Sequence, residues 1–159
     1  MPTRFDSVDD FPTLQAGVLR RARAIAEADG ATFVLRDGDN CFYADEDAIA
    51  PLWKGQRFPM TDCISGWAML HDDAAIVANI DLDERIPLAA YRPTFVRSLA
   101  MVPIGEPPLG AMGVYWANIR RIAPGVLAAL EGLAAEVAIA IERIGLENAA
   151  WAPTFRVTT

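Results

Sequence analysis

The chain has 159 residues, 53% of them apolar, and no low-complexity tract; this is the profile of one compact domain and excludes a disordered or fibrous protein. Its net charge is −7, with Lys54 the single lysine among arginine cations, a balance that opposes nucleic acid and anionic membrane as partners. No apolar run is read as long enough to span a membrane and MPTRFDSVDD lacks signal-peptide form, so a cytoplasmic setting is expected.

Pro12 to Asp29 reads as a helix. Pro12 suits its first turn, Leu14, Val18, Ala22 and Ile25 fall near one face, and Gly30 suits the position just past its end. Arg20, Arg21 and Arg23 form a basic cluster on the remaining surface, which suits either a solvated helix face or an interaction patch. Ala31 to Arg36 is strand-like, Asp37-Gly38-Asp39-Asn40 is a hairpin turn, and Cys41-Phe42-Tyr43-Ala44 returns beside the first strand. Cys41 there reads as an inert small hydrophobe. Asp45 to Lys54 is an acidic, partly helical excursion ending in Pro51-Leu52-Trp53.

Phe58-Pro59-Met60 is extended, and Thr61 or Asp62 caps a helix from Cys63 to Leu70. Ser65 and Gly66 are small for a core helix; they suit either close packing on the sheet or a helix N-terminus that receives an anionic or carbonyl group. His71, ahead of Asp72-Asp73, reads as a solvated capping residue, and its wide spacing from Cys41 and Cys63 gives no zinc pattern. Ala74 to Val77 is a short strand. Asn79 to Pro93 is a long connection with one short helical turn, of the kind that serves as a lid or binding wall. It concentrates Asp81, Asp83, Arg85, Tyr91 and Arg92, all able to hydrogen-bond a ligand.

Ser98 to Ala117 is the centre of the chain: two apolar runs flank the turn Gly105-Glu106-Pro107-Pro108. Neither run alternates polar with apolar, so both faces of this antiparallel hairpin are expected to be covered, one by helix and the other by a pocket wall. Gly110 and Gly113 make room either for ordinary packing or for a ligand. A long helix follows, from about Pro124 to Asn148. Val126, Leu130, Leu133, Val137, Ala140 and Ile144 step along it as an a/d seam, broadened by Leu127, Ala134 and Ile141. Some 25 residues would span roughly 37 Å, more than one face of this domain needs, so a homodimer through this helix is expected. Pro153 is expected to end it, leaving no continuous helix into a downstream kinase.

The order of elements resembles that of a GAF domain over nearly the whole chain, Leu14 to Glu147. Three stretches carry the resemblance: Phe58-Pro59 ahead of Cys63-Ile64-Ser65-Gly66-Trp67-Ala68, the run from Tyr91 to Ile104, and Leu109 to Trp116. It looks most like the GAF domains of bacterial two-component sensor kinases. The resemblance implies an α+β, GAF/PAS-like fold: a six-stranded antiparallel sheet, N- and C-terminal helices on one face and a ligand cavity on the other. Residues 1–11 would be an arm, 12–148 the domain and 149–159 a tail. By matching positions the cavity would be lined by Phe58, Cys63, Ser65, Trp67, Asp81, Arg85, Tyr91, Phe95, Met101 and Tyr115.

Departures narrow the ligand. Bilin-binding members carry a Cys-His pair where this chain has Ile86-Pro87-Leu88-Ala89-Ala90, so no covalent bilin is expected. Cyclic-nucleotide binders carry an Asn-Lys pair with a later Phe and Asp-Glu set, whereas here Asn79-Ile80 stands and Asp83-Glu84 precedes Phe95. His71 is misplaced for an axial haem ligand. The expectation is a non-catalytic, small-molecule-sensing module of bacterial signal transduction, without a cofactor, acting as a homodimer and with a histidine kinase or other signalling protein as partner. Two alternatives stand beside it. One is a free methionine-(R)-sulfoxide reductase using Cys63, against which Cys41 shows no evident route to Cys63. The other is a dimerisation scaffold whose cavity is filled by its own side chains.

Overall fold

The computed structural model describes residues 5–149 and 151. Helix α1 runs Phe11–Ala26. Asp10 opens it, its carboxylate accepting the Thr13 amide at 2.8 Å and the Thr13 hydroxyl at 2.9 Å. Glu27, in the left-handed region at φ 48, closes it. The helix thus stops earlier than predicted, and Gly30 is no cap: it opens a strand at a crossing where a Cβ would meet Ala48 Cβ at 2.8 Å and Phe95 Cζ at 3.0 Å. The arginine cluster is split, because Arg23 turns back to the Ala28 carbonyl and to Asp47, at 3.0 and 3.1 Å.

Six strands form one sheet: β1 (Gly30–Asp37), β2 (Asn40–Ala48), β3 (Arg57–Pro59), β4 (Ala75–Val77), β5 (Ser98–Ile104) and β6 (Gly110–Trp116). Their order is β3-β2-β1-β6-β5-β4, with every neighbouring pair antiparallel. The first four residues of the predicted Asp45–Lys54 excursion are instead strand. Asp45 to Ala48 pairs with Phe33 to Gly30 across a bulge at Phe33/Val34, since backbone pairing outweighs the acidic composition of the segment.

The missing alternation in β5 and β6 has a direct cause. Ala100, Val102, Ile104, Met112, Val114 and Trp116 enter a core beneath the terminal helices, while Leu99, Met101, Ala111 and Tyr115 enter a second core on the opposite face. Successive side chains point to opposite faces and both faces are interior.

Helix α4 spans Pro124–Ile144, ending at Gly145, whose φ of 95 suits glycine, rather than at Pro153. Its seam residues Leu130, Leu133, Val137 and Ala140 are buried in the first core against α1 and the sheet. The seam's partner is therefore the chain itself, and helix length no longer argues for a second copy. By length and composition α4 could also cross a membrane, contrary to the sequence reading; its apolar side is occupied here by packing. Arg143 near its end donates to the Phe5 and Val8 carbonyls at 2.8 and 2.7 Å, tying down the arm. Residues 1–4 of the predicted arm, and residues 150 and 152–159 of the tail with Pro153, lie outside the described residues.

Candidate functional site

The second face of the sheet is covered by α2 (Ile64–His71), by the segment after β2, and by the loop that contains α3 (Leu88–Tyr91). Where the resemblance implies a cavity, Trp53 is inserted. Its ring lies 4.6 Å from Tyr91, 5.5 Å from Tyr115 and 5.6 Å from Tyr43, centroid to centroid, and its indole N–H donates to the Ala90 carbonyl at 3.0 Å. The Trp53 segment is held by one side chain. The Glu46 carboxylate on β2 accepts the amides of Leu52, Trp53 and Lys54 at 2.8, 2.9 and 2.8 Å.

Three phenols surround the Trp53 ring. Tyr115 shares a 2.8 Å hydrogen bond with Thr32, and Tyr43 a 3.0 Å hydrogen bond with Ser65. Tyr91 is the exception: its hydroxyl is buried and finds no partner among the described residues. Burial raises the pKa of all three, so they are neutral hydroxyl groups at physiological pH. The room beside Gly113 is taken by Tyr115 Oη and Met101 Cε, which a Cβ would meet at 2.5 and 2.8 Å. Ser65 and Gly66 serve packing: Ser65 reaches Tyr43, and a Cβ on Gly66 would collide with the Met60 carbonyl.

The two thiols, for which the sequence shows no evident route to one another, belong to this same second core. The β2–β3 register sets Cys41 opposite Phe58, and the chain then folds Met60 to Cys63 back over Cys41. Cys63 stands at the N-cap of α2, in place of the predicted Thr61 or Asp62. As a thiol it donates to the Pro59 carbonyl at 3.5 Å. As a thiolate it is stabilised by the Cys41 thiol, which outweighs burial, and further by the Ser65 hydroxyl at 3.4 Å and the Gly66 amide; together they bring its pKa down to about 7. Cys41 is pushed the other way, by that same contact and by burial.

Outside this core, Trp67 lies between the His71 ring, stacked at 4.3 Å, and the Arg85 guanidinium, 4.4 Å over its face. Arg85 grips Asp83 through two nitrogens at 2.9 and 2.6 Å and holds its carboxyl below the usual carboxylate range. Thr61, Cys63, Trp67, Glu84 and Arg85 border an outer groove of about 440 Å³. A second groove, of about 470 Å³, runs past Asp81, Tyr91, Arg92 and Arg97, with Asp81 and Arg97 3.7 Å apart.

The predicted set therefore divides. Phe58, Ser65, Tyr91, Phe95, Met101 and Tyr115 belong to or pack against the second core. Cys63 sits between that core and the outer groove, Trp67 and Arg85 face the groove, and Asp81 is on the surface. Sequence reasoning missed Thr32, Cys41, Tyr43, Glu46 and Trp53. The β2–β3 pairing is the signal that finds Cys41. Tyr43, two residues along the same strand, points to the same face.

The family profile described as a GAF domain matches residues 8–142. No curated protein sequence matches the chain. Among solved structures, the GAF domain from Acinetobacter phosphoenolpyruvate-protein phosphotransferase superposes with a TM-score of 0.70 at 15% identity, over 82% of this chain and 80% of that one. The GAF-B domain of DevS from Mycobacterium smegmatis gives 0.68 at 16%, over 83% and 93%. The type II free methionine-R-sulfoxide reductase from Thermoplasma acidophilum gives 0.70 at 13%, over 84% and 95%. At these identities the likeness is one of fold. The profile spans most of the sequence and the sheet order, terminal helices and covered second face agree with it: the chain belongs to the GAF domain family.

Proposed function

We propose that this domain is a non-catalytic regulatory module that senses a small molecule in the chamber now held by Trp53. The observation that carries this reading is the Tyr91 hydroxyl, buried beside the Trp53 ring without a partner. A buried hydroxyl left unpaired costs about 1–3 kcal/mol, so a guest that accepts its hydrogen bond gains that much over the closed form. The guest class is a compact, flat apolar body with one polar acceptor, able to replace the indole among Tyr43, Tyr91 and Tyr115. Its entry moves the Trp53 segment on its Glu46 tether. Leu99 and Met101 alternate with Ala100 and Val102, so a shift in the chamber reaches the core under α4 through a single strand. A ligand changes output only by binding two such arrangements unequally. We place the output in a cytoplasmic homodimer that works on a histidine kinase or a similar partner. With its seam buried, α4 would offer Ala128, Gly132, Ala135 and Ile139 to the second copy.

Native mass spectrometry of freshly purified protein, followed by a metabolite screen read by melting temperature, tests this. A retained or added compound at a hundredfold excess over its Kd should stabilise the fold by about 2.7 kcal/mol. If no compound shifts either stability or dimerisation, the sensing function fails. The filled chamber then favours the ligand-free scaffold. Cys63 at the outer groove, with Cys41 in the same core, favours a second reading, a free methionine-(R)-sulfoxide reductase. Thioredoxin-coupled NADPH oxidation with free methionine sulfoxide, abolished by Cys63→Ser, would establish it; a parent protein without turnover removes it.

A further inference from the structure

The groove of about 470 Å³ along the β4–β5 connection shares only Tyr91 with the chamber. Ile80 and Val96, both buried, and the half-buried Leu88 give it an apolar lining, while Asp81, Arg92 and Arg97 are exposed around it. A tight turn sets the two arginines there. The Thr94 amide and hydroxyl both donate to the Tyr91 carbonyl, at 2.9 and 2.6 Å, and that hydroxyl accepts the Val96 amide at 3.2 Å. The Arg97 carbonyl accepts the Ile80 amide at 3.0 Å, which joins the far wall to the turn. The fold makes little use of either guanidinium. Among the described residues the Arg92 side chain makes no hydrogen bond or ion pair. Arg97 has Asp81 at 3.7 Å, beyond hydrogen-bond range, with both side chains about half exposed. Two cations thus stand against one carboxylate, in a chain whose net charge is −7. The backbone adds no anion cradle, because the amides of Arg92, Thr94, Val96 and Arg97 are spent on Leu88, Tyr91, Thr94 and Trp116. Charge recognition falls to the two side chains, whose planar forks match a carboxylate.

We propose that this groove binds a small organic monocarboxylate, with its carboxylate held by Arg92 and Arg97 and its apolar body against Ile80, Leu88 and Val96. The groove has the size and the make-up of a small-molecule site, apolar with a few placed charges. An inorganic anion would leave the apolar lining in water. A neutral apolar molecule would leave the two guanidiniums as they are. The carboxylate gives Arg92 a partner and gives Arg97 a closer one than Asp81. Tyr91 belongs to the groove wall and its ring lies 4.6 Å from that of Trp53, so an occupied groove touches a residue of the chamber. The groove site does not require Trp53 to move, and either reading can fail without the other.

The test titrates the full chain with cinnamate, and with cinnamyl alcohol as its neutral match, read by calorimetry and by amide and indole N–H resonances. Cinnamate should bind about tenfold more tightly than the alcohol, with shifts centred on the Arg92, Thr94 and Arg97 amides and none at the Trp53 indole. Arg92→Gln and Arg97→Gln should each weaken binding about fivefold, whereas Arg20→Gln, which removes an exposed cation from α1, should leave it unchanged. Arg92→Gln takes away a side chain that the fold does not use, so that variant stays folded and decides the matter. No binding of cinnamate, equal affinity for the alcohol, or undiminished affinity in Arg92→Gln would overturn the proposal. Displacement of cinnamate by an equal concentration of inorganic phosphate would overturn the assignment to carboxylates. Shifts centred on the Trp53 indole would overturn the groove as the site and leave the chamber reading standing.

Discussion

The two faces of the sheet are filled on different principles. Beneath α1 and α4 the core is hydrocarbon and aromatic ring, with Phe11 and Phe33 packed edge to face at 6.3 Å and Trp116 donating its indole N–H to the Ala26 carbonyl. Beneath α2 and the loops the interior carries Thr32, Tyr43, Ser65, Tyr91, Tyr115 and two thiols. Hydrocarbon holds a fold together without directional demands, whereas each buried polar group needs a partner and is destabilising without one. Their concentration on one face, with one hydroxyl unpaired, separates the surface that builds the domain from the surface available for chemistry or recognition. The first face is closed by the two terminal helices, and the second by the short α2 together with irregular segments.

Four substitutions and one titration break or sharpen that contrast. Phe33→Ala, in the hydrocarbon core, should destabilise by about 4 kcal/mol in denaturant unfolding, with no small molecule able to offset it. Trp53→Ala, on the other face, should lose about 3 kcal/mol but keep the fold by circular dichroism; a loss above that of Phe33→Ala would make Trp53 a structural keystone instead. Glu46→Ala frees three amides and should cost about 2 kcal/mol, with faster hydrogen exchange at Leu52, Trp53 and Lys54. Unchanged exchange there would mean that something other than Glu46 holds the segment.

The titration concerns Cys63. With its pKa lowered to about 7, chiefly by the Cys41 contact, the thiolate is present above that pH and lost below it. Iodoacetamide labelling should therefore rise about tenfold between about pH 6 and pH 8. A rise confined to the ordinary thiol range near pH 8.5 would contradict the contact. Smallest is Tyr91→Phe, which removes the orphaned hydroxyl and should gain about 1 kcal/mol; a loss would reveal a hydrogen bond that the hydroxyl makes.

How far the sequence speaks follows from the range of each interaction. The unbroken apolar runs of β5 and β6 announce a sheet covered twice, and the spacing along α4 announces its buried stripe, because both signals repeat locally. What that stripe packs on is not local, and α1 proves to be the partner expected from a second chain. Asp45-Glu46-Asp47 looks like solvated helix or loop by composition, yet it extends β2 and supplies the carboxylate that anchors a turn several residues away. Trp53 belongs to no periodic pattern, so nothing in its neighbourhood points to Tyr91. That Cys41 and Cys63 share one core depends on a three-pair ladder with β3 that has to be known before the two can be placed on the same side of the sheet. Regular structure was legible. The site was legible only where it lay on regular structure.

The most direct measurement is the melting temperature of the parent and of Trp53→Ala, each with and without indole. If Trp53 occupies a seat meant for a guest, indole should restore several degrees to the variant and leave the parent unchanged. Equal responses in the two proteins, or none in either, would contradict a ring-shaped seat beneath Tyr91 that Trp53 fills.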